Sequence, residues 1–236
     1  MNANVVLREL RDPSDEQLLG RFYDEILVPY FSPGELVPLD ALQRALGPEP
    51  CDTEIVVAND NGAVIGGAVG DWDADSRVYL LSYLAVRSSE RSRGVGTLLM
   101  GHVRSWWEAR GASVVLAEVD DPRHHAVSDY GDPDARLRFY DRLGARLLAI
   151  SYTQPEVRSG TGRMPGMLLI TFQVRAEARA GDAMRVDVLR RFLANYLVLC
   201  EGTVADQVDA AVNSLAPALT KLSTIPILPM SDYHDI

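Results

Sequence analysis

Apolar and polar positions alternate in short runs over the first half of this chain and settle into helical stripes towards its end. Asn4 to Leu10 alternates as a first strand does, and Asp12-Pro13-Ser14-Asp15 then punctuates it. Ser14 or Asp15 can cap a helix in which Leu18, Leu19, Phe22, Ile26 and Leu27 recur at helical spacing to about Tyr30. Pro33 and Gly34 break it, and a second helix is predicted from Leu39 to Leu46. Glu54 to Ala58 and Ala63 to Asp71 read as two strands joined by Asn59-Asp60-Asn61-Gly62, a strong hairpin turn. Arg77 to Val86 is the third strand of this meander. After a short loop, Leu98, Leu99, Val103 and Trp106 mark the core stripe of a helix running through Trp107, which Gly111 ends.

Ser113 to Val119 is β-branched and predicts a central strand. The polar stretch from Asp120 to Pro133 is irregular, and a helix capped by Asp132 or Asp134 runs from it to Leu143. Arg146 to Tyr152 and Met167 to Val174 are strands, with a long loop from Gln154 to Pro165 between them. The pattern predicts an α/β (α+β) architecture, a mixed central sheet of six to seven strands flanked by helices. Ala176 to Gly181 reads as a linker. Beyond it the stripes Val186–Leu197 and Val204–Leu222 predict a C-terminal helical extension, and Pro226 to Ile236 an extended tail. The expected organisation is thus residues 1–176 followed by 182–236. The apolar faces of the extension must be covered by the first unit or by a second copy in a homodimer.

Composition narrows the partners. With 33 acidic against 23 basic residues the net charge is −10, which speaks against nucleic acid and suits a cationic substrate. Cys51 and Cys200 are far apart and in no metal-ligand spacing, so no metal is expected, and a reducing compartment fits. The N-terminus carries no basic-then-apolar signal region, and no apolar run approaches the ~20 residues of a membrane span. A soluble cytoplasmic protein without a membrane partner is expected.

The chemistry concentrates between Leu84 and Thr97, where a buried strand ends and a helix opens. Arg91-x-x-Gly94-x-Gly96 at such a junction suits an anionic phosphate. Its glycines let the backbone approach, N–H groups at the helix start point outward, and arginines add charge. With the strands before it, this stretch resembles the acyl-CoA signature of the GNAT superfamily, the GCN5-related N-acetyltransferases. Phe139-Tyr140-Asp141-Arg142-Leu143-Gly144-Ala145 is similar to that family's second landmark. The resemblance covers roughly residues 4–176. Pro133 and Arg136 depart from it, standing where the family often has Asn and Ala.

The resemblance implies a GNAT fold and acetyl-CoA, or another acyl-CoA, as co-substrate. A splayed strand at Leu84, Ala85 and Val86 would pair with the pantetheine arm. Arg91, Ser92, Arg93, Gly94, Val95, Gly96 and Thr97 would hold the pyrophosphate. Tyr140 occupies the family's general-acid position, to protonate or only to position the departing sulfur. The residues themselves nominate Glu118, at the C-terminal end of the central strand, as the base, directly or through water. Glu54 and the pair His124-His125 are weaker candidates for the base, and Glu118 and Asp120 are candidates for binding a cationic acceptor. The activity expected is transfer of acetyl to a small-molecule amine. The alternatives are a protein N-acetyltransferase and a binding or regulatory module that holds acyl-CoA without turnover.

Overall fold

The meander forms as antiparallel neighbours β1 (Val5–Leu10), β2 (Thr53–Asp60), β3 (Ala63–Asp73) and β4 (Val78–Val86), paired in chain order. The computed structural model describes residues 5–47 and 51–236; Asn4, the expected start of the first strand, lies outside them. Asn61 and Gly62 turn the β2–β3 hairpin with φ of 50° and 83°, the left-handed pair that a two-residue type I′ turn demands. Between β1 and β2 the chain lays α1 (Glu16–Phe22), a π turn (Tyr23–Leu27), α2 (Val28–Tyr30) and α3 (Leu39–Gln43) over one face of the sheet. Leu19, Phe22, Ile26 and Leu27 are buried there with Val57, Val69, Tyr83 and Ala85.

Gly67 in β3 permits that contact. A Cβ at this position would stand 2.5 Å from Phe22 Cε2 and 2.6 Å from the Val56 carbonyl oxygen. The second neighbour is backbone in a paired strand and cannot step aside. Gly67→Ala is therefore expected to cost about 2–3 kcal/mol by overpacking. A thermal melt lowered by less than a degree would contradict this packing.

The opposite face is covered by α4 (Val95–Arg110) and α5 (Pro133–Arg142), with β5 (Val114–Asp120) between them in sequence. Leu99, Val103, Trp106, Trp107 and Tyr140 are buried there with Tyr79, Leu81, Val115 and Ala117. β5 runs parallel to β4, and β8 (Met164–Val174) closes antiparallel on β5. The strand expected from Arg146 to Tyr152 is instead two short ones, β6 (Arg146–Leu148) and β7 (Tyr152–Gln154), both paired with β8.

The C-terminal part corrects the purely helical expectation. Beside α6 (Val186–Glu201) and α7 (Val208–Leu215) it adds β9 (Arg179–Ala180), β10 (Ala183–Arg185) and β11 (Thr224–Leu228). Among the described residues the sheet therefore has eleven strands, in the order β1-β2-β3-β4-β5-β8-β6-β11-β10-β9 with β7 also on β8. Six to seven were expected because strands of two or three residues are too short to show a period of two, and Pro226 made β11 read as an extended tail. Pro226 lacks an N–H but still accepts one, from Ala149 at 3.0 Å. The stripe of α6 is covered in the same chain: Leu189, Phe192, Leu193 and Leu197 share a core with Val78, Leu80, Val114, Leu116 and Leu169. Pro217 ends the second stripe after α7. Among the described residues no helix is long and apolar enough to cross a membrane.

Candidate active site

β4 and β5 pair only from Val78–Val114 to Leu81–Ala117 and then part. A bulge in β4 marks the parting: Val69 faces Tyr83 and Gly70 faces Leu81, so Ser82 is the extra residue. Its hydroxyl donates to Asp71, which also accepts from Thr53 Oγ1 at 2.5 Å. The extra residue reverses the alternation of β4. Val78 and Leu80 face the α6 side and Tyr79 and Leu81 the α4 side, whereas Tyr83 and Ala85 return to the α1 side. Leu84, Ala85 and Val86, still paired with β3, line a cavity of about 490 Å³ that opens in the split.

One end of this cavity offers hydrogen-bond donors that an anion could use. Arg91, Ser92, Gly94, Val95, Gly96 and Thr97 line it. Ser92 and Gly94 are left-handed, with φ of 65° and 84°, and successive N–H groups in such a turn converge on one point. The first intrahelical bond of α4 runs from Leu98 N–H to Gly94 O at 3.0 Å, and the Gly94 cap supplies no side-chain acceptor to the N–H groups before it. A Cβ on Gly96 would meet Phe139 at 3.1 Å, so the glycine brings α5 close to the loop. The Arg91 guanidinium lies 5.1 Å from the Tyr30 ring centroid. Arg93 is placed differently from the expectation: it pairs with Glu90 and, at 3.1 Å, with Asp60, and is not among the residues lining the cavity. Its charge is spent on holding the loop to the β2–β3 turn.

At the other end Tyr140 is buried against Phe139 and Phe172, with ring centroids 5.3 and 5.6 Å away. Burial pushes its phenol up to about 12, against a smaller downward pull from Arg136. Tyr140, Phe31, Leu84 and Arg136 also line a second, small cavity of about 20 Å³, whose remaining wall includes Glu35, Tyr83, Glu118 and Gln154. The structure thus brings Tyr140 and Glu118 to one space, from opposite faces of the sheet, through the gap between β4 and β5.

Glu118 accepts three hydrogen bonds: from the Tyr152 hydroxyl at 2.6 Å, from Gln154 Nε2 at 2.8 Å and from the Tyr196 hydroxyl at 3.2 Å. Desolvation raises its carboxyl above the ordinary range despite these donors, each of which pulls it down. Asp120 does not join it. Its carboxylate is held by Arg136 at 2.8 Å with His125 Nδ1 at 3.8 Å, and it lines neither cavity. Arg136, the departure from the family pattern, is the residue that neutralises it. Glu54 is bound by the Tyr79 hydroxyl at 3.0 Å and by Arg110, away from both cavities. His125 Nε2 sits 3.1 Å from the Pro165 carbonyl, and His102 packs at Trp106 with Nε2 2.8 Å from Glu9.

Tyr152, Gln154 and Tyr196 were not singled out by the sequence reading. Tyr152 and Gln154 stand two apart on β7 and so face the same way, the one local signal available. Tyr196 comes from α6, which Asn195 fastens to Asp73 at 3.0 Å. Two arginines strap the segment after β7 to its neighbours. Arg158 reaches the Leu36 carbonyl at 2.8 Å and the Tyr23 hydroxyl at 2.6 Å, and Arg163 grips Glu201 of α6 at 2.7 and 2.8 Å.

Comparison with known proteins follows the same lines. The profile of the acetyltransferase (GNAT) family matches residues 20–145. No curated protein matches the sequence. Among solved structures, a GNAT-family protein from Bacteroides thetaiotaomicron superposes with a TM-score of 0.60 at 23% identity, over 83% of this chain and 98% of that one. A GNAT-family protein from Desulfovibrio desulfuricans gives 0.51 at 23% identity, over 72% and 98%. An aminoglycoside 6′-acetyltransferase type Ii gives 0.50 at 18% identity, over 71% and 96%.

Proposed function

Since the chain belongs to the GNAT family of acetyltransferases, we propose that it transfers acetyl from acetyl-CoA to the primary amine of a small molecule, by direct attack in a ternary complex. The observation that carries this reading is that Glu118 and Tyr140 line one small cavity where β4 separates from β5. A base and an acid on the two sides of one gap are what aminolysis of a thioester needs.

Acetyl-CoA supplies the activated acetyl group as a thioester. The residues fit it: the loop from Arg91 to Thr97 offers converging N–H groups for the pyrophosphate, with Arg91 beside them. The edge of β4 at Leu84, Ala85 and Val86 would hold the pantetheine arm, and a main-chain N–H there would polarise the thioester carbonyl. Glu118, already supplied with three donors, keeps one of the roughly four lone-pair sites of a carboxylate for the incoming amine. Its raised pKa makes it a better proton acceptor than an exposed glutamate. The Tyr140 hydroxyl donates to the departing sulfur. Residues 182–236 act in this reading as an extension that completes the acceptor side of the domain in 1–176.

A small acceptor is favoured over a peptide by the size of the space that Glu118 and Tyr140 share, about 20 Å³. The fold is also that of an aminoglycoside 6′-acetyltransferase, so a small-molecule amine lies within the reach of the scaffold. The test is to incubate the protein with acetyl-CoA and a panel of small primary amines and to follow free thiol. Saturable thiol release that depends on the amine is expected. CoA binding without release from any amine would instead mean a module that holds the cofactor without turnover.

A further inference from the structure

Gln154 is 6% exposed and spends its amide nitrogen on Glu118, at 2.8 Å. A carboxylate only accepts, so that bond fixes the amide with Nε2 towards Glu118 and Oε1 away from it. Oε1 is buried and finds no hydrogen-bond partner among the described residues. A buried acceptor left without a donor is costly, and Gln154 lines the same small space as the base and the acid, so a donor entering that space is the partner open to it.

We propose that Gln154 is a specificity-determining residue whose Oε1 receives the second N–H of the acceptor, so that the site selects primary amines over secondary amines. The inference rests on the aminolysis reading above. A neutral primary amine attacks with two hydrogens on nitrogen. As the C–N bond forms and the C–S bond breaks, one hydrogen passes to Glu118 and the sulfur leaves with the Tyr140 proton; solvent then resets both groups. The other hydrogen stays in the product amide, and that is the hydrogen Gln154 Oε1 holds. A neutral secondary amine has one hydrogen only. It must go to the base, which leaves Oε1 buried and unpaired as the new bond forms. Tyr196 contributes from outside: with Tyr152 it occupies the other positions on Glu118, so the carboxylate cannot turn to serve both hydrogens itself.

The discrimination expected from one unpaired buried acceptor is about 10–100-fold in kcat/KM. The probes are n-butylamine and N-methylbutylamine, together with the matched pair built on the panel amine that is turned over fastest. Wild type is expected to prefer the primary member by that factor, and Gln154→Leu to bring the two within about threefold. Losing the Gln154–Glu118 bond slows both amines alike, so the ratio isolates the role of Oε1. Gln154→Met, closer in length, repeats the measurement should the leucine variant fold poorly, with CoA affinity and thermal melting as controls. Equal turnover of both amines by wild type, or an unchanged preference in both variants, overturns this proposal alone. Absence of thiol release with every amine overturns the aminolysis reading and this proposal with it.

Discussion

Glu118→Gln is expected to lower kcat/KM for the amine about a thousandfold and to remove the acid limb of its pH profile. The glutamine keeps the shape of the side chain and can still accept from Tyr152 or Tyr196, but it cannot take a proton. In the wild type the carboxyl must be ionised to act. Its pKa is raised by desolvation, so activity should fall on acidification at a pH above the ordinary glutamate value of about 4.3. A variant with no titrating group there should show no such fall. Stability supplies an independent check with its own sign. A carboxyl raised in the folded state binds more proton when folded than when unfolded. Its contribution is fully present below the unfolded pKa and is lost as pH rises through the folded one. Glu118→Gln is therefore expected to melt higher than wild type at pH 8, with the gap closing towards pH 4. A variant that loses activity together with melting temperature at pH 8 would point to a merely structural glutamate.

Tyr140→Phe is expected to lower kcat about a hundredfold while leaving the CoA dissociation constant within about twofold. The ring is packed by Phe139 and Phe172, and phenylalanine preserves those contacts. Only the hydroxyl is lost. A phenol pushed up to about 12 stays protonated at every useful pH, which suits a donor. It is also a weaker acid than a free thiol near pKa ~8.5, so transfer to a thiolate in water would run uphill. The mismatch narrows inside the protein because desolvation raises thiols too, as it does strongly for Cys200. The hydroxyl is thus most effective when it donates to sulfur as negative charge develops, before full departure. The kcat of Tyr140→Phe should therefore depend more steeply on leaving-group acidity than that of wild type, with thioesters of more acidic thiols partly restoring the rate. A variant as fast as wild type would remove Tyr140 from the chemistry.

The turn from strand to helix was legible because the need for close backbone approach leaves glycines at fixed spacing, and Leu84 to Thr97 reads at once. Glu118 and Tyr140, which line one cavity, stand out in the sequence as candidates for different reasons, one from its position at the end of a central strand, the other from a landmark in the helix. What was not legible depends on pairing between distant segments. Arg93 reads as a phosphate ligand until Asp60 is seen beside it, and Asp120 as a free carboxylate until Arg136 closes on it. The donors to Glu118 lie 34, 36 and 78 residues away along the chain. No local period announces such contacts. The short strands β9 and β10 escaped because two or three residues carry no alternation to detect.

The docking of α6 and β11 also bears on the order in which the chain becomes competent during its synthesis. The glycine loop and the edge of β4 have been made once residue 110 has emerged, but Tyr196 reaches Glu118, and β11 reaches β6, only after roughly ninety to one hundred and twenty further residues, about 4–24 s at ordinary translation rates. A nascent chain would thus pass through a stage at which the glycine loop has been made while Glu118 still lacks its donor from Tyr196.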